Sequence, residues 1–504
     1  VPAAGSADEN GAPVNQIVAV VLVMLATVLI GAFGIRVSRT TSDFYVASRT
    51  VSPLWNASAI GGEYLSAASF LGVAGLILTF GADMLWLPVG WTGGYLVLLV
   101  LVSAPLRRSG AYTLPDFAEA RLESMAVRRL SSVLVVLIGW LYLMPQFQSA
   151  GLVFRTITGA PPWTGSLLVA AVVATNVLSG GMRSITFVQA FQYWLKLTAL
   201  AVPLVFMLMA WWSDGRPGLA PGDEWVLPLH GQEHPVYETY SLILATFLGT
   251  MGLPHVLVRF YTNPDGMAAR RTTLVVLTLL GAFYLMPAVY GYLGHVYGMP
   301  ESDTVVIALP GRLVGGPVGE FLTALVTAGA FAAFLSTSSG LTVSVAGVIA
   351  QDMLRGGVRA FRVATLLAVL VPFALAGVAR SLPVATVVGL AFAVAASSFC
   401  PLLVLGIWWR RLTTAGAMAG LLAGGGLACT AVVVTIIGGP HSGWAGSLLA
   451  EPAAWTVPVS FTVMVVVSLL TPSRVPRGVA RTMVRLHTPE TLNVDRGDWR
   501  PRFM

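Results

Sequence analysis

The chain has 504 residues, of which 56% are hydrophobic and 10% charged, and its mean hydropathy is +0.79. A soluble domain carries about 25% charged residues, so this composition excludes a water-soluble protein and points to an all-α integral membrane protein. The 29 basic residues are 28 Arg and one Lys; that one, Lys196, lacks the preceding glycine of a phosphate-binding loop, and the arginines cluster at the ends of apolar runs, which excludes an ATP-driven pump and nucleic-acid binding.

The opening stretch, 1–15, is small and polar, shows no cleavable signal and is expected outside the cell. A spanning helix needs about 20 apolar residues. Spans are predicted at 16–37, 54–80, 84–105, 130–157, 163–180, 185–212, 239–261, 272–297, 318–350, 360–379, 383–409, 413–437 and 454–471, about thirteen in all. Short Arg-rich loops stay in the cytoplasm. The loops after alternate spans, together with the tail 472–504, hold 24 arginines, against only Arg155, Arg216, Arg312 and Arg380 on the other side. The acidic residues Asp214, Asp223, Glu224, Glu233 and Glu238 lie with those four. This orients a multi-pass protein of the cytoplasmic membrane with its N-terminus outside and its tail inside. Arg259, after the second-half break described below, is read as marking the cytoplasmic end. Cys400 and Cys429 lie in apolar runs and read as core residues.

Spans two to six cover 54–213 and spans seven to eleven cover 239–411. Each set has five helices, and the two sets start from opposite sides of the membrane, as in an inverted repeat. The helix 16–37 then precedes the repeats and two additional helices, within 412–471, follow them. The first helix of each set is interrupted, by Ala59-Ile60-Gly61-Gly62-Glu63 and by Gly249-Thr250-Met251-Gly252-Leu253-Pro254. Paired interruptions expose backbone at the bilayer midplane and point to a transport site. Glycine there also permits close helix packing, and both uses stay open.

Glu63 lies in a span otherwise free of charge and should face the bundle interior. It would bind a cation, carry a proton or hold the unwound segment together. Ala333, Ser336 and Thr337 lie one turn apart and offer a carbonyl and two hydroxyl oxygens, hard ligands suited to a small alkali cation. The alternative is that these hydroxyls bond back to their own helix. His255, after Pro254, either serves a structural hydrogen bond or meets a carboxylate or proton. Gln146, Gln148 and Ser149 form a polar interruption in span four. Lys196 lies well inside span six, with a stem long enough to snorkel toward an interface.

The strings Gly62-Glu63-Tyr64-Leu65-Ser66-Ala67-Ala68-Ser69-Phe70-Leu71-Gly72, Gly252-Leu253-Pro254-His255 with Arg259, Leu335-Ser336-Thr337-Ser338-Ser339-Gly340, and Gly389-Leu390-Ala391-Phe392-Ala393 resemble the sodium:solute symporters, within them the cation/acetate or monocarboxylate branch. Gly180-Gly181-Met182-Arg183 fits the wider family, and the likeness runs over about residues 40 to 420. It implies a LeuT-type 5+5 inverted repeat with one helix before it and two after. It also implies a sodium site formed by the carbonyls of Gly62, Leu65 and Ala333 and the hydroxyls of Ser336 and Thr337. In two places the chain departs from its relatives. Tyr64 stands where many have Asp or Asn, with the carboxylate one position earlier at Glu63, and Gln189 stands where sugar and proline members have Asp. Glu63 and Gln189 are therefore the coupling candidates.

A short-chain monocarboxylate such as acetate, propionate or pyruvate needs donors for two oxygens and a modest apolar pocket, and Ser66, Ser69, Gln146 and His255 are the candidates for it. The expected function is import of such an acid with sodium by alternating access, with no cofactor, no nucleic-acid partner and no enzymatic activity. The alternatives are proton coupling, a transporter-like sensor, for which the 33 residues after Thr471 are too few to hold a kinase domain, and a passive anion channel.

Overall fold

The structure is a computed structural model that describes residues 11–35, 51–227, 233–300, 303–354, 356–377, 382, 384–438 and 442–492. Most of the predicted N-terminal segment lies outside the described residues, as do Arg36, Arg39, Arg49, Arg355 and Arg380, the last tail arginines, and the side chain of Arg183.

Every regular element among the described residues is helical, because in lipid each backbone N–H and C=O must be paired within its own segment. In chain order the principal helices are α1 (Gly11–Ile35), α2 (Pro53–Tyr64), α3 (Val73–Phe80), α4 (Trp86–Val97), α5 (Ser103–Arg108), α6 (Leu114–Leu122), α7 (Met125–Thr158) and α8 (Pro162–Ser213). They continue with α9 (Pro235–Gly252), α10 (Pro254–Phe260), α11 (Gly266–Val296), α12 (Val305–Val314), α13 (Gly316–Val348), α14 (Val358–Leu375) and α15 (Val384–Trp408). The last are α16 (Thr414–Gly420), α17 (Gly426–Gly438), α18 (Gly443–Ala450), α19 (Ala453–Leu470) and α20 (Val479–His487). Proline at the first turn of α2, α8, α9 and α10 marks where helices begin, since a missing N–H costs nothing there.

Among the described residues, twelve helices are long and apolar enough to cross a membrane. One of them, Ala68–Arg108, has 41 residues, about 60 Å of helix at 1.5 Å per residue and twice the hydrocarbon thickness. Gly81, at φ +74° and ψ −153°, divides it, which restores the two crossings that the sequence predicts and a total of thirteen. The predicted fifth and sixth spans are joined within the 52 residues of α8, although they remain separate apolar stretches, Pro162–Ser179 and Ser184–Ser213.

The core is built on α8, α13 and α15. α8 packs along α13, α2 and α1, while α9 packs along α15. α13 is buried almost continuously from Leu322 to Val348, and α15 over most of its length. α1 lies at the periphery, with Val14, Val18, Leu22, Leu25 and Leu29 exposed along one stripe.

At the arginine-rich end, two buried arginines tie helices together. Arg121 Nε donates to Gly406 O at 2.7 Å and its Nη2 to Trp409 O at 3.0 Å, closing the last turn of α15. Arg128 is clasped by Asp116, Glu119 and Asp352 at 2.8, 2.6 and 2.6 Å. The tail returns to this end. Gly478 N donates to Glu123 Oε1 at 2.9 Å, and Glu490 accepts from Gly266 N at 2.8 Å and from Arg108 Nε at 3.2 Å.

Candidate functional site

Both predicted interruptions exist, one of them displaced. α2 runs unbroken through Gly61 and Gly62 and ends at Tyr64; the helix opens at Leu65 and Ser66, where Leu65 takes φ −73° and ψ 82°. The glycine pair serves packing instead. A Cβ on Gly62 would lie 2.1 Å from Gln189 O, and one on Gly61 2.8 Å from the Tyr193 ring. A π-turn, Ala68–Gly72, resumes the helix after the break, a local unwinding that recurs at functional sites. The second interruption falls within the predicted string, at Leu253 between α9 and α10. The two breaks are neighbours, since the Tyr64 and Thr250 hydroxyls are 2.7 Å apart.

The five residues predicted to hold a cation come together at the first break, and Lys196 reaches into the same place. Its Nζ donates to Gly62 O at 2.5 Å, Leu65 O at 2.7 Å and Ser336 Oγ at 3.0 Å. The Ser336 hydroxyl donates in turn to Ala333 O at 3.1 Å, and Thr337 Oγ1 donates to Glu63 O at 2.6 Å, pinning the end of α2 to α13. Lys196 does not snorkel, because its side chain is fully buried.

Beside this cradle lies a buried ion pair. Arg259 Nε donates to Glu63 Oε2 at 2.7 Å, its Nη1 donates to Thr186 Oγ1 at 2.8 Å, and its Nη2 reaches Gln189 Oε1. Gln189 Nε2 completes the circuit by donating to Ser336 O at 2.7 Å. The two coupling candidates, Glu63 and Gln189, thus belong to one network. Arg259 is not the exposed end marker that its place in the sequence suggests; it is 0% exposed and points at Glu63. Gly340 makes room for that carboxylate, since a Cβ there would lie 2.2 Å from Glu63 Oε1.

Of the substrate candidates, Gln146 holds the break itself. Its Oε1 accepts from Ala67 N at 3.0 Å and its Nε2 donates to Tyr142 O at 3.3 Å. Ser69 Oγ is paired with Tyr284 OH at 2.9 Å. Ser66 Oγ and both ring nitrogens of His255 are buried without a hydrogen-bond partner among the described residues, as are Trp91 Nε1 and Tyr95 OH. Aromatic rings wall the same region. Phe392 lies 6.3 Å from Tyr64, 5.8 Å from Trp91 and 5.8 Å from Tyr142, and the Tyr142 ring lies 5.2 Å from that of His255. The sequence reading missed this aromatic set; its signal is the tyrosine and tryptophan inside apolar spans, whose O–H and N–H groups call for partners when buried. At the end where α7 stops and α8 starts, a cavity of about 570 Å³ is lined by Gln148, Arg155, Trp163, Ser166, Asp303 and Phe373.

Buried charge of this kind is expensive, and within a membrane protein it marks a transport path by default. Comparison with known proteins points to a transporter family. Residues 44–424 match the sodium:solute symporter family. An uncharacterized symporter of Bacillus subtilis, YwcA, is 33% identical, over 79% of this chain and 82% of its own. A monocarboxylic acid transporter of Corynebacterium glutamicum is 30% identical, over 90% of each chain. Among solved structures, a Na+-coupled sialic acid symporter in a substrate-bound outward-open state superposes with a TM-score of 0.71 at 13% identity, over 90% of this chain and 97% of that one. The fold is accordingly that of the LeuT-type transporters, and the chain belongs to the sodium:solute symporter family.

Proposed function

We propose that this solute symporter imports a short-chain monocarboxylate with a cation by alternating access across the cytoplasmic membrane, N-terminus outside and tail inside. One observation carries the reading. The midplane network sets two cationic side chains, Lys196 and Arg259, against a single carboxylate, Glu63, and a bound carboxylate anion would complete the balance. The unpartnered donors of Ser66, Trp91, Tyr95 and His255 suit two carboxylate oxygens, and the aromatic walls suit a short apolar chain. The name of the Corynebacterium relative supports the same substrate class.

Family membership implies sodium as the coupling ion, with Gly62, Leu65, Ala333, Ser336 and Thr337 as its oxygens. Proton coupling is the second reading, and it is favoured by the Lys196 ammonium lying among those oxygens. The test is uptake of labelled acetate, propionate and pyruvate into proteoliposomes under an imposed sodium gradient or an imposed pH gradient. Accumulation above equilibrium of at least one acid is expected. Equilibration without accumulation under either gradient would reduce the protein to a passive anion channel.

A further inference from the structure

We infer that the groove between α4 and α11 is a binding site for one acyl chain of a bilayer phospholipid, and that its occupant bears on the transport site through Tyr284. The two helices pack side by side, yet they leave a cavity of about 550 Å³ open to the outside of the bundle. Leu85, Val89 and Leu96 wall it on the α4 side, and Leu277 and Leu285 on the α11 side. Among the described residues that line it, none is charged. Gly281 is the reason it is open. Residues four apart share one face of a helix, so Leu277 and Leu285 stand up on either side of a position that has no side chain, and a Cβ there would meet nothing within 4 Å.

Depth and shape select the occupant. Every lining residue belongs to a stretch apolar enough to cross the membrane. From Leu85 to Leu96 is about 17 Å of helix at 1.5 Å per residue, close to half of a hydrocarbon core about 30 Å thick, so the groove has the length of one leaflet. Trp86 marks its headgroup end, an exposed aromatic beside the Gly81 break. Gly281, the sixteenth of the 31 residues of α11, marks the bilayer centre. Only an apolar partner can fill a hollow at this depth. A helix of a second protein, about 10 Å across, would ride on the exposed crests of Val89 and Leu285 and leave the trough empty, whereas a single alkyl chain fits along it.

The floor gives the groove its consequence. Tyr284 lines it, and the Tyr284 hydroxyl is paired with Ser69 Oγ at 2.9 Å, in the π-turn that follows the first break. The same ring lies 5.7 Å from that of Trp91, whose Nε1 is one of the unpartnered donors. One aromatic ring thus divides the lipid from two groups of the substrate region. Close-packed side chains transmit a change of volume to their neighbours. A straight chain in the trough holds the ring against Ser69 and Trp91, and a chain too bulky to enter lets it turn away. Substrate affinity and groove occupancy are then linked, each acting on the other.

The effect on transport rests on the symporter reading, but the binding does not, and the test reads them separately. The purified full chain is placed in vesicles of straight-chain phosphatidylcholine that include a phosphatidylcholine carrying a photoreactive diazirine, either near the methyl end of one chain or beside its ester, and labelled peptides are mapped. The methyl-end probe should label 277–281 and the neighbourhood of Leu96 more strongly than the exposed stripe of α1, and the ester probe should label the Trp86 end instead. Gly281→Leu and Val89→Trp, which fill the trough from opposite walls, should bring methyl-end labelling down to the α1 level. In uptake of labelled acid, the half-saturating concentration of the wild type should differ by about fivefold between straight-chain and methyl-branched lipid, and that of Gly281→Leu should not differ. Wild-type labelling no stronger than on α1, undiminished labelling of a folded variant, or crosslinking of two copies through α4 and α11 would overturn the site. Depth-specific labelling with the same half-saturation in both lipids would overturn the link to transport. If no form takes up acid, the substrate reading fails and the labelling still decides the groove; if neither variant folds, the wild-type depth profile decides it.

Discussion

Two buried charge clusters stand at different depths, and they are balanced in opposite senses. At the midplane, Arg259 pairs with the one carboxylate, Glu63, while the Lys196 amine beside it is held by the carbonyls of Gly62 and Leu65. At the arginine-rich end, Arg128 alone meets three, Asp116, Glu119 and Asp352. Both are almost fully buried, so neither is a screened surface pair of small value. The end cluster joins α6, α7 and the turn after α13, and its third carboxylate is further held by the Ser132 hydroxyl. It clamps the consecutive helices α6 and α7 to a turn more than two hundred residues further along the chain. The midplane cluster is short of negative charge and borders unpartnered donors. The end cluster has its carboxylate excess drawn around one arginine and serves to hold helices together, whereas the surplus of basic groups beside unpartnered donors at the midplane suits an incoming anion.

The sharpest way to break this comparison is to remove each lone or shared partner in turn. Arg128→Met leaves three buried carboxylates facing one another and should destabilise the protein by about 4–5 kcal/mol, read by thermal unfolding and by the monodisperse fraction in detergent. Arg259→Met should cost less, about 3 kcal/mol, because Lys196 still acts on Glu63, but it should abolish uptake. If Arg259→Met proved the more damaging to folding, or left transport intact, the division between clamp and receptor site would be wrong.

A smaller effect sharpens the picture of the clamp. Burial pushes the Asp116 carboxyl up from its ordinary value of 3.8 to about 6, against the pull of Arg128 and with the added push of Asp352. A carboxyl whose folded value is raised favours the fold in its protonated form. Its contribution is therefore full below about pH 4 and lost as pH rises through about 6. Asp116→Asn should flatten that part of the pH–stability curve while changing uptake little. An unchanged curve would show that Asp116 stays ionised across the range.

The apolar spans were legible because a long apolar run without charge can satisfy its own backbone in lipid as a helix. The existence of both breaks was legible from glycine and proline, but the exact residues of the first were not. Gly61 and Gly62 look like the weak point; their small size is used against Gln189 and Tyr193 of α8, a contact that has no local signature. Arg259 was misread as an end marker, and Lys196 was given no role, for a related reason. The rule that basic residues face water is statistical, and the acceptors that overturn it, Glu63 for one and the carbonyls of Gly62 and Leu65 for the other, lie more than a hundred residues away. The aromatic walls escaped because Tyr64, Trp91, Tyr142 and Phe392 come from four separate helices, α2, α4, α7 and α15, and nothing local in the sequence shows that they meet. The Ala333, Ser336 and Thr337 group was readable because it combines three oxygens on one turn.

The returning tail also constrains motion. Glu490 grips the first amide of α11 and the guanidinium of Arg108 at once, and Gly478 is hooked onto Glu123, so a short strap spans the seam where the leading half of the chain meets the trailing half. Any opening of that seam must stretch or release the strap first. The last described residues therefore tie the two halves together at this end, and removing them should weaken that seam without touching a single group at the midplane.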